Sequence, residues 1–106
     1  MKKLILTFFV LGFPVIALGY WKTGNTIKAE CGSNSVVEKS LCLGYITGVA
    51  DVFKDTAICY PKGVTPGQME AVVIKYLNEY PDRLHYSADS LVLDALGKAF
   101  PCKGKK

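Results

Sequence analysis

Residues 35–58, SVVEKSLCLGYITGVADVFKDTAI, decide the fold. Ser35 with Glu38 three residues on is a capping-box signature, a hydroxyl that can accept from a helix amide and a carboxylate that can reach back. Beyond it Val37, Leu41, Tyr45, Val49, Val52 and Phe53 recur at spacings of three and four, the period of one broad helical face. The stretch therefore predicts a long helix from Val36 to Ile58. Inside it Gly44 and Gly48 stand four apart on one side. A glycine in a helix interior costs roughly 1 kcal/mol relative to alanine. The pair is therefore expected where a neighbouring helix approaches closely, the alternative being backbone contact with a ligand.

Downstream, Tyr60-Pro61-Lys62-Gly63 carries turn chemistry, because proline has no amide for a helix ladder and glycine tolerates positive φ. Thr65-Pro66-Gly67-Gln68 then opens a second helix, with Thr65 and Gln68 spaced for a reciprocal cap and Pro66 at the first helical position, where its missing N–H is harmless. Met69, Val72, Val73, Tyr76, Leu77 and Tyr80 form one apolar stripe, which Pro81 stops. Ser87 is the expected cap of a last helix, with Leu91, Val92, Ala95, Leu96 and Ala99 on one face and Phe100-Pro101 ending it. Upstream, Tyr20 to Ile27 reads as a polar and aromatic lead-in, followed by a brief helical turn ending at Cys31-Gly32. No strand-like alternation or hairpin dipeptide occurs, so the expected fold is a small all-α domain of about four helices.

Cys31, Cys42, Cys59 and Cys102 all follow an N-terminal segment built like an export signal. Lys2 and Lys3 precede an apolar run from Leu4 to Leu18, broken only by Gly12 and Pro14, and Ala17-Leu18-Gly19 offers small residues to a signal peptidase. The run is shorter than the ~20 residues a spanning helix needs. The charged Lys28-Ala29-Glu30 before Cys31 does not suit lipid attachment. The expectation is a signal peptide over residues 1–19, a single domain over 20–106, and no stable membrane anchor after cleavage. A domain of that size has a thin core, and an even number of cysteines in an oxidising compartment answers that need with disulfides.

Geometry narrows the pairing. Cys42 and Cys59 at opposite ends of one helix are roughly 25 Å apart at 1.5 Å per residue, whereas a disulfide needs Cα atoms within about 7 Å. Two connectivities remain: Cys31–Cys42 with Cys59–Cys102, or Cys31–Cys59 with Cys42–Cys102. The first is favoured, because Cys31–Cys42 closes a short polar loop onto the start of the long helix.

Charge and motif content exclude several functions. Of 13 basic residues, two lie in the signal, leaving 11 against 9 acidic residues and a net charge of +2. The only basic cluster is Lys103, Lys105 and Lys106 at the C-terminus, read as a solvated tail, so no nucleic-acid partner is expected. The cysteines lack any C-x2-C pair, there is no glycine-rich phosphate loop, and the single histidine, His85, lies between two helices. No enzyme, metal site or cofactor is expected. His85 reads as a half-exposed packing residue, with a partner contact or a pH-sensing role as the alternative, and Asp51 as a solvated or locally paired carboxylate, with a buried and paired one as the alternative.

The run Cys42-Leu-Gly-Tyr-Ile-Thr-Gly-Val-Ala-Asp51, then Cys59-Tyr-Pro61, Gly63-Val-Thr-Pro-Gly-Gln68, Val72-Val-Ile-Lys-Tyr-Leu77, Pro81, His85, Leu91-Val92 and Phe100-Pro-Cys102, resembles the Rap/Tai immunity protein family. The resemblance covers nearly the whole chain from Cys31 onward. It implies a small helical periplasmic protein of HdeA-like architecture, often a homodimer, that neutralises a peptidoglycan amidase effector of type VI secretion by covering its active site. Other functions of the same architecture are an acid-responsive periplasmic chaperone and an envelope protein with no toxin partner. The shared residues are cysteines, caps and core positions, so they mark the scaffold. The expected contact surface is taken instead from the segments with exposed charge and aromatics between rigid helices: Lys62, Gly63 and Val64 before the second helix, and Asp82, Arg83, His85 and Tyr86 in the connector after it.

Overall fold

The computed structural model describes residues 21–103; the expected signal segment and the last three residues lie outside them. Four helices follow in order: α1 Gly24–Cys31, α2 Val36–Phe53, α3 Pro66–Glu79 and α4 Ala88–Ala99, with a single 3-10 turn at Pro81–Arg83 between the last two. Among the described residues there is no strand, only two isolated bridges, so the all-α expectation holds. Each helix packs against the other three.

The caps show how closely local sequence was followed. Thr65 and Gln68 form the complete reciprocal box, with the Gln68 amide donating to Thr65 Oγ1 at 3.1 Å and the Thr65 amide to Gln68 Oε1 at 2.8 Å. At α2 only half of the expected box forms. Ser35 Oγ accepts from the Glu38 amide at 3.3 Å, but the Ser35 amide donates to Ser33 Oγ at 2.9 Å, and the Glu38 carboxylate stays in solvent. Ser87 precedes α4 as expected without a side-chain cap bond, its hydroxyl meeting that of Ser90 instead. The first amide of α4, at Ala88, donates to the Lys22 carbonyl at 2.8 Å. An orphan donor of the helix start is thus satisfied from a distant part of the chain.

Two expected boundaries are corrected. The lead-in is helical from Gly24, because the Thr23 hydroxyl accepts from the Thr26 amide and starts a two-turn helix. The long helix ends at Phe53, five residues before Ile58. Lys54 leaves helical geometry and Asp55 takes a left-handed φ of 67°, a conformation that aspartate tolerates better than most residues. The Thr56, Ala57 and Ile58 amides then all turn back to the Phe53 carbonyl. This tight exit carries Ile58 into the core with no exposed surface and lets the Cys59 amide donate to the Phe100 carbonyl at 2.8 Å.

The disulfides are Cys31–Cys42 and Cys59–Cys102, with Cα atoms 5.0 and 4.8 Å apart. They are the favoured connectivity. The first clips α1 to α2, and the second ties the exit of α2 to the end of α4. Between them lies a core of Ile27, Ile46, Ile58, Val73, Leu77, Leu91, Val92 and Leu96, each with no more than 1% of its surface exposed. Burying each such side chain contributes about 1.5–3 kcal/mol. No polar or charged side chain is buried among the described residues.

Candidate functional site

α3 and α4 use their apolar stripes as the periodicity requires, burying Met69, Val73, Tyr76 and Leu77 from the first and Leu91, Val92, Ala95 and Leu96 from the second. α2 does not. Its buried residues are Cys42, Ile46 and Ala50, while Tyr45, Val49 and Phe53 are half-buried. Val37 is 68% exposed, Leu41 49% and Val52 72%. The helix is apolar around most of its circumference, and one bundle of this size covers only one side of it.

The glycines lie on the uncovered side. A Cβ built on Gly44 or Gly48 would meet nothing within 4 Å, so the close helix neighbour expected there is not supplied by this chain. An open cleft of about 520 Å³ runs along this side, lined by Gly44, Tyr45, Gly48, Val49, Val52, Phe53 and Asp89. A second, of about 510 Å³, shares Tyr45 and Asp89 with it and reaches Trp21, Lys22 and His85. Every large hydrophobic exposed among the described residues belongs to α2 or to this adjoining edge: Val36, Val37, Leu41 and Val52 on the helix, Trp21 and Tyr86 beside it.

The connector joins this surface. The Gly24 and Asn25 amides at the start of α1 donate to the Tyr86 and Leu84 carbonyls, both at 2.9 Å, and hold the segment in place. His85 is exposed, with its ring edge-on to Tyr86 at 4.6 Å between centroids. Asp82 is exposed, whereas Arg83 turns inward, donating from Nη1 to Tyr76 Oη at 2.9 Å with its guanidinium 4.3 Å from the Tyr80 ring centroid. The hydrogen bond to Tyr76 holds the guanidinium further toward its charged form. Arg83 thus fastens the connector to α3.

Lys62, Gly63 and Val64 stand apart from the connector, at the opposite end of α3, roughly 20 Å away along the helix. Lys62 and Gly63 are exposed and Val64 is half-buried. Gly63 has a φ of +97°, which explains the glycine as a turn requirement. Sequence reasoning thus selected residues from two separate surfaces and missed the outward side of α2 that links to one of them. The signal available for it was the apolar character of α2 on more than one side.

Among the described residues the salt bridges are Lys22–Glu30 and Lys75–Glu79, so Asp89, which lines both α2 clefts, and the exposed Asp51, Lys39 and Lys54 on or next to α2 have no ion-pair partner. On the other side a cleft of about 230 Å³ between α3 and α4 carries Lys75 and Lys98 with Glu79. Among the described residues, the nearest approach to a metal-ligand cluster is Cys31, Cys42 and Glu70, with Glu70 Oε2 3.3 Å from Cys42 Sγ. The two sulfurs are bonded to each other and offer no thiolate.

A family model described as Rap1a immunity proteins matches residues 23–102, from the cap of α1 through the second disulfide. No curated protein matches the chain.

Proposed function

Since the chain belongs to the Rap1a immunity protein family, we propose that it acts in the periplasm, where it binds a peptidoglycan amidase effector of type VI secretion and blocks it by steric occlusion. The observation that supports a binding role is that the large exposed hydrophobics among the described residues lie on α2 or the edge beside it, in a cross-linked domain. Clustered exposed apolar surface marks interaction sites in soluble proteins. Disulfides that hold the surface rigid lower the ordering cost of association. The effector's identity as an amidase rests on the resemblance, as does a homodimeric assembly.

No constellation of nucleophile, base and orienting group occurs among the described residues: the only histidine stands against a tyrosine on the surface. Inhibition then depends on shape and contact area alone. The acid-chaperone alternative calls for carboxylates whose protonation opens the fold, and no carboxylate among the described residues is buried.

The test is peptidoglycan hydrolysis by any candidate amidase encoded in the same gene neighbourhood, with and without the purified protein. Stoichiometric inhibition is expected. An amidase whose rate is unchanged at a severalfold excess of the protein overturns the reading, and sedimentation of the protein alone decides the dimer.

A further inference from the structure

We propose that the Glu70 carboxylate is a kinetic lock on the Cys31–Cys42 disulfide, slowing both its reduction and its re-formation by thiol exchange. The proposal concerns the scaffold and stands whether or not the target is an amidase.

Glu70 lies in the second turn of α3, half-buried, where that helix packs against the two helices that the disulfide clips together. Its Oε2 is 3.3 Å from Cys42 Sγ, and among the described residues no lysine or arginine forms an ion pair with it. A sulfur bonded to another sulfur carries no proton, so in the oxidised protein this contact is not a hydrogen bond. It becomes one only when Cys42 is reduced, with the thiol donating to the carboxylate. Glu70 therefore disfavours the Cys42 thiolate twice over, by a hydrogen bond to the neutral thiol and by like charge.

Thiol exchange at this disulfide passes through that thiolate. Cys42 has no exposed surface, whereas Cys31 keeps 4% and lines a cleft of about 140 Å³ with Lys28, Gly32, Ile74 and Asn78. An incoming thiolate therefore attacks Cys31. The new bond joins its sulfur to Cys31 Sγ, the Cys31–Cys42 bond breaks, and the electron pair leaves on Cys42 Sγ beside Glu70, to be protonated by water. A second thiol of the reductant then displaces Cys31, and the reductant departs as its own disulfide, two electrons having passed to the protein. A thiolate that is harder to form leaves more slowly.

The reverse step meets the same obstacle. Cys42 must lose its proton before it can attack a mixed disulfide on Cys31, and the neighbouring carboxylate keeps the proton in place. Lys28, Glu38 and Lys39, the other charges near these cysteines in sequence, are exposed and screened by solvent, whereas Glu70 touches the sulfur. Among the described residues no carboxylate makes such a contact with Cys59 or Cys102, so the second disulfide is an internal control.

The test treats the oxidised protein, recovered from the periplasm, with dithiothreitol at mildly alkaline pH. Samples are quenched by alkylation, and each disulfide is followed by mass spectrometry of its peptides. Closure is followed in the reduced protein with oxidised glutathione. Glu70→Gln should open and close Cys31–Cys42 at least about threefold faster than wild type, and Glu70→Lys faster still, with the rates at Cys59–Cys102 unchanged. Glutathione trapped during exchange should be found on Cys31.

Equal rates in wild type and Glu70→Gln overturn the lock. Parallel acceleration at Cys59–Cys102 overturns it too, because the substitution has then loosened the whole fold. Faster opening with slower closing assigns Glu70 to stability instead, and glutathione on Cys42 shows that the leaving sulfur is the other one. A Glu70→Lys rate no higher than that of Glu70→Gln removes charge as the cause.

Discussion

The backbone amide of Gly24 donates to the carbonyl of Tyr86 at 2.9 Å, so the first residue of α1 fixes the last exposed aromatic of the α3–α4 connector. Glycine is needed at this contact for space. A Cβ on Gly24 would sit 2.5 Å from Leu91 Cδ1 and 2.9 Å from the backbone of Leu84. Gly24→Ala is expected to destabilise the domain by about 1–3 kcal/mol, the usual cost of overpacking, and to displace Tyr86. Urea denaturation checks the first effect, and a midpoint equal to wild type contradicts it.

Gly44→Ala and Gly48→Ala should act in the opposite sense. Both positions lie inside α2 with free space where the methyl would go. Each substitution should raise stability by up to about 1 kcal/mol through helix propensity and lost unfolded-chain freedom. A lowered melting temperature in either variant would show that the side of α2 described as open is occupied.

The two disulfides should contribute unequally. The Cys59–Cys102 link closes 43 residues and Cys31–Cys42 closes 11. Loop entropy assigns them about 4 and about 3 kcal/mol respectively. Paired serine replacements, compared by denaturant midpoint, should therefore rank the loss of Cys59–Cys102 as the more damaging.

Lys98 offers a pH-dependent check on the α3–α4 side. Its Nζ donates to Tyr80 Oη at 3.1 Å, and that bond raises its pKa above the ordinary 10.5. A raised folded-state pKa contributes stability that is fully present below pH 10.5 and is lost as pH climbs through the folded value. Tyr80→Phe should return the Lys98 amine toward 10.5, as read by NMR titration of its ε-methylene; an unchanged titration would mean that the hydrogen bond does not form in solution.

Surface substitutions separate the two regions first selected from sequence. Trp21→Ala and Tyr86→Ala remove exposed side chains, so stability should change by no more than about 0.5 kcal/mol, while inhibition of the amidase weakens. Lys62→Ala, at the far end of α3, should leave both stability and inhibition unchanged. Equal losses of inhibition in all three variants would place the contact elsewhere.

Much of this architecture was legible because it is local. The Thr65–Gln68 box, the proline stops at 61 and 81, and the buried stripes of α3 and α4 are properties of residues within one or two turns of each other. The cysteine pairing was legible in part: the short loop that Cys31–Cys42 closes favoured the observed connectivity, whereas the helix argument against Cys42–Cys59 assumed one helix through both, and that helix ends at Phe53. The premature end of α2 was not legible, because Lys54-Asp55-Thr56 contains no proline or glycine. The exit at Asp55 is held by the burial of Ile58 and by the backbone bond from Cys59 to Phe100, both of which depend on α4 being in place.

By itself the sequence determined that this is a disulfide-linked helical domain, where three of its helices begin, and which stripes of α3 and α4 face inward. Only the tertiary structure decided which side of α2 is covered. Periodicity specifies the angular position of each side chain around a helix axis, but a helix apolar on two sides satisfies that periodicity in either orientation. The choice was made by the Cys31–Cys42 link and by the packing of Ile46 and Ala50 against the other three helices, which leave Val37, Leu41 and Val52 in solvent.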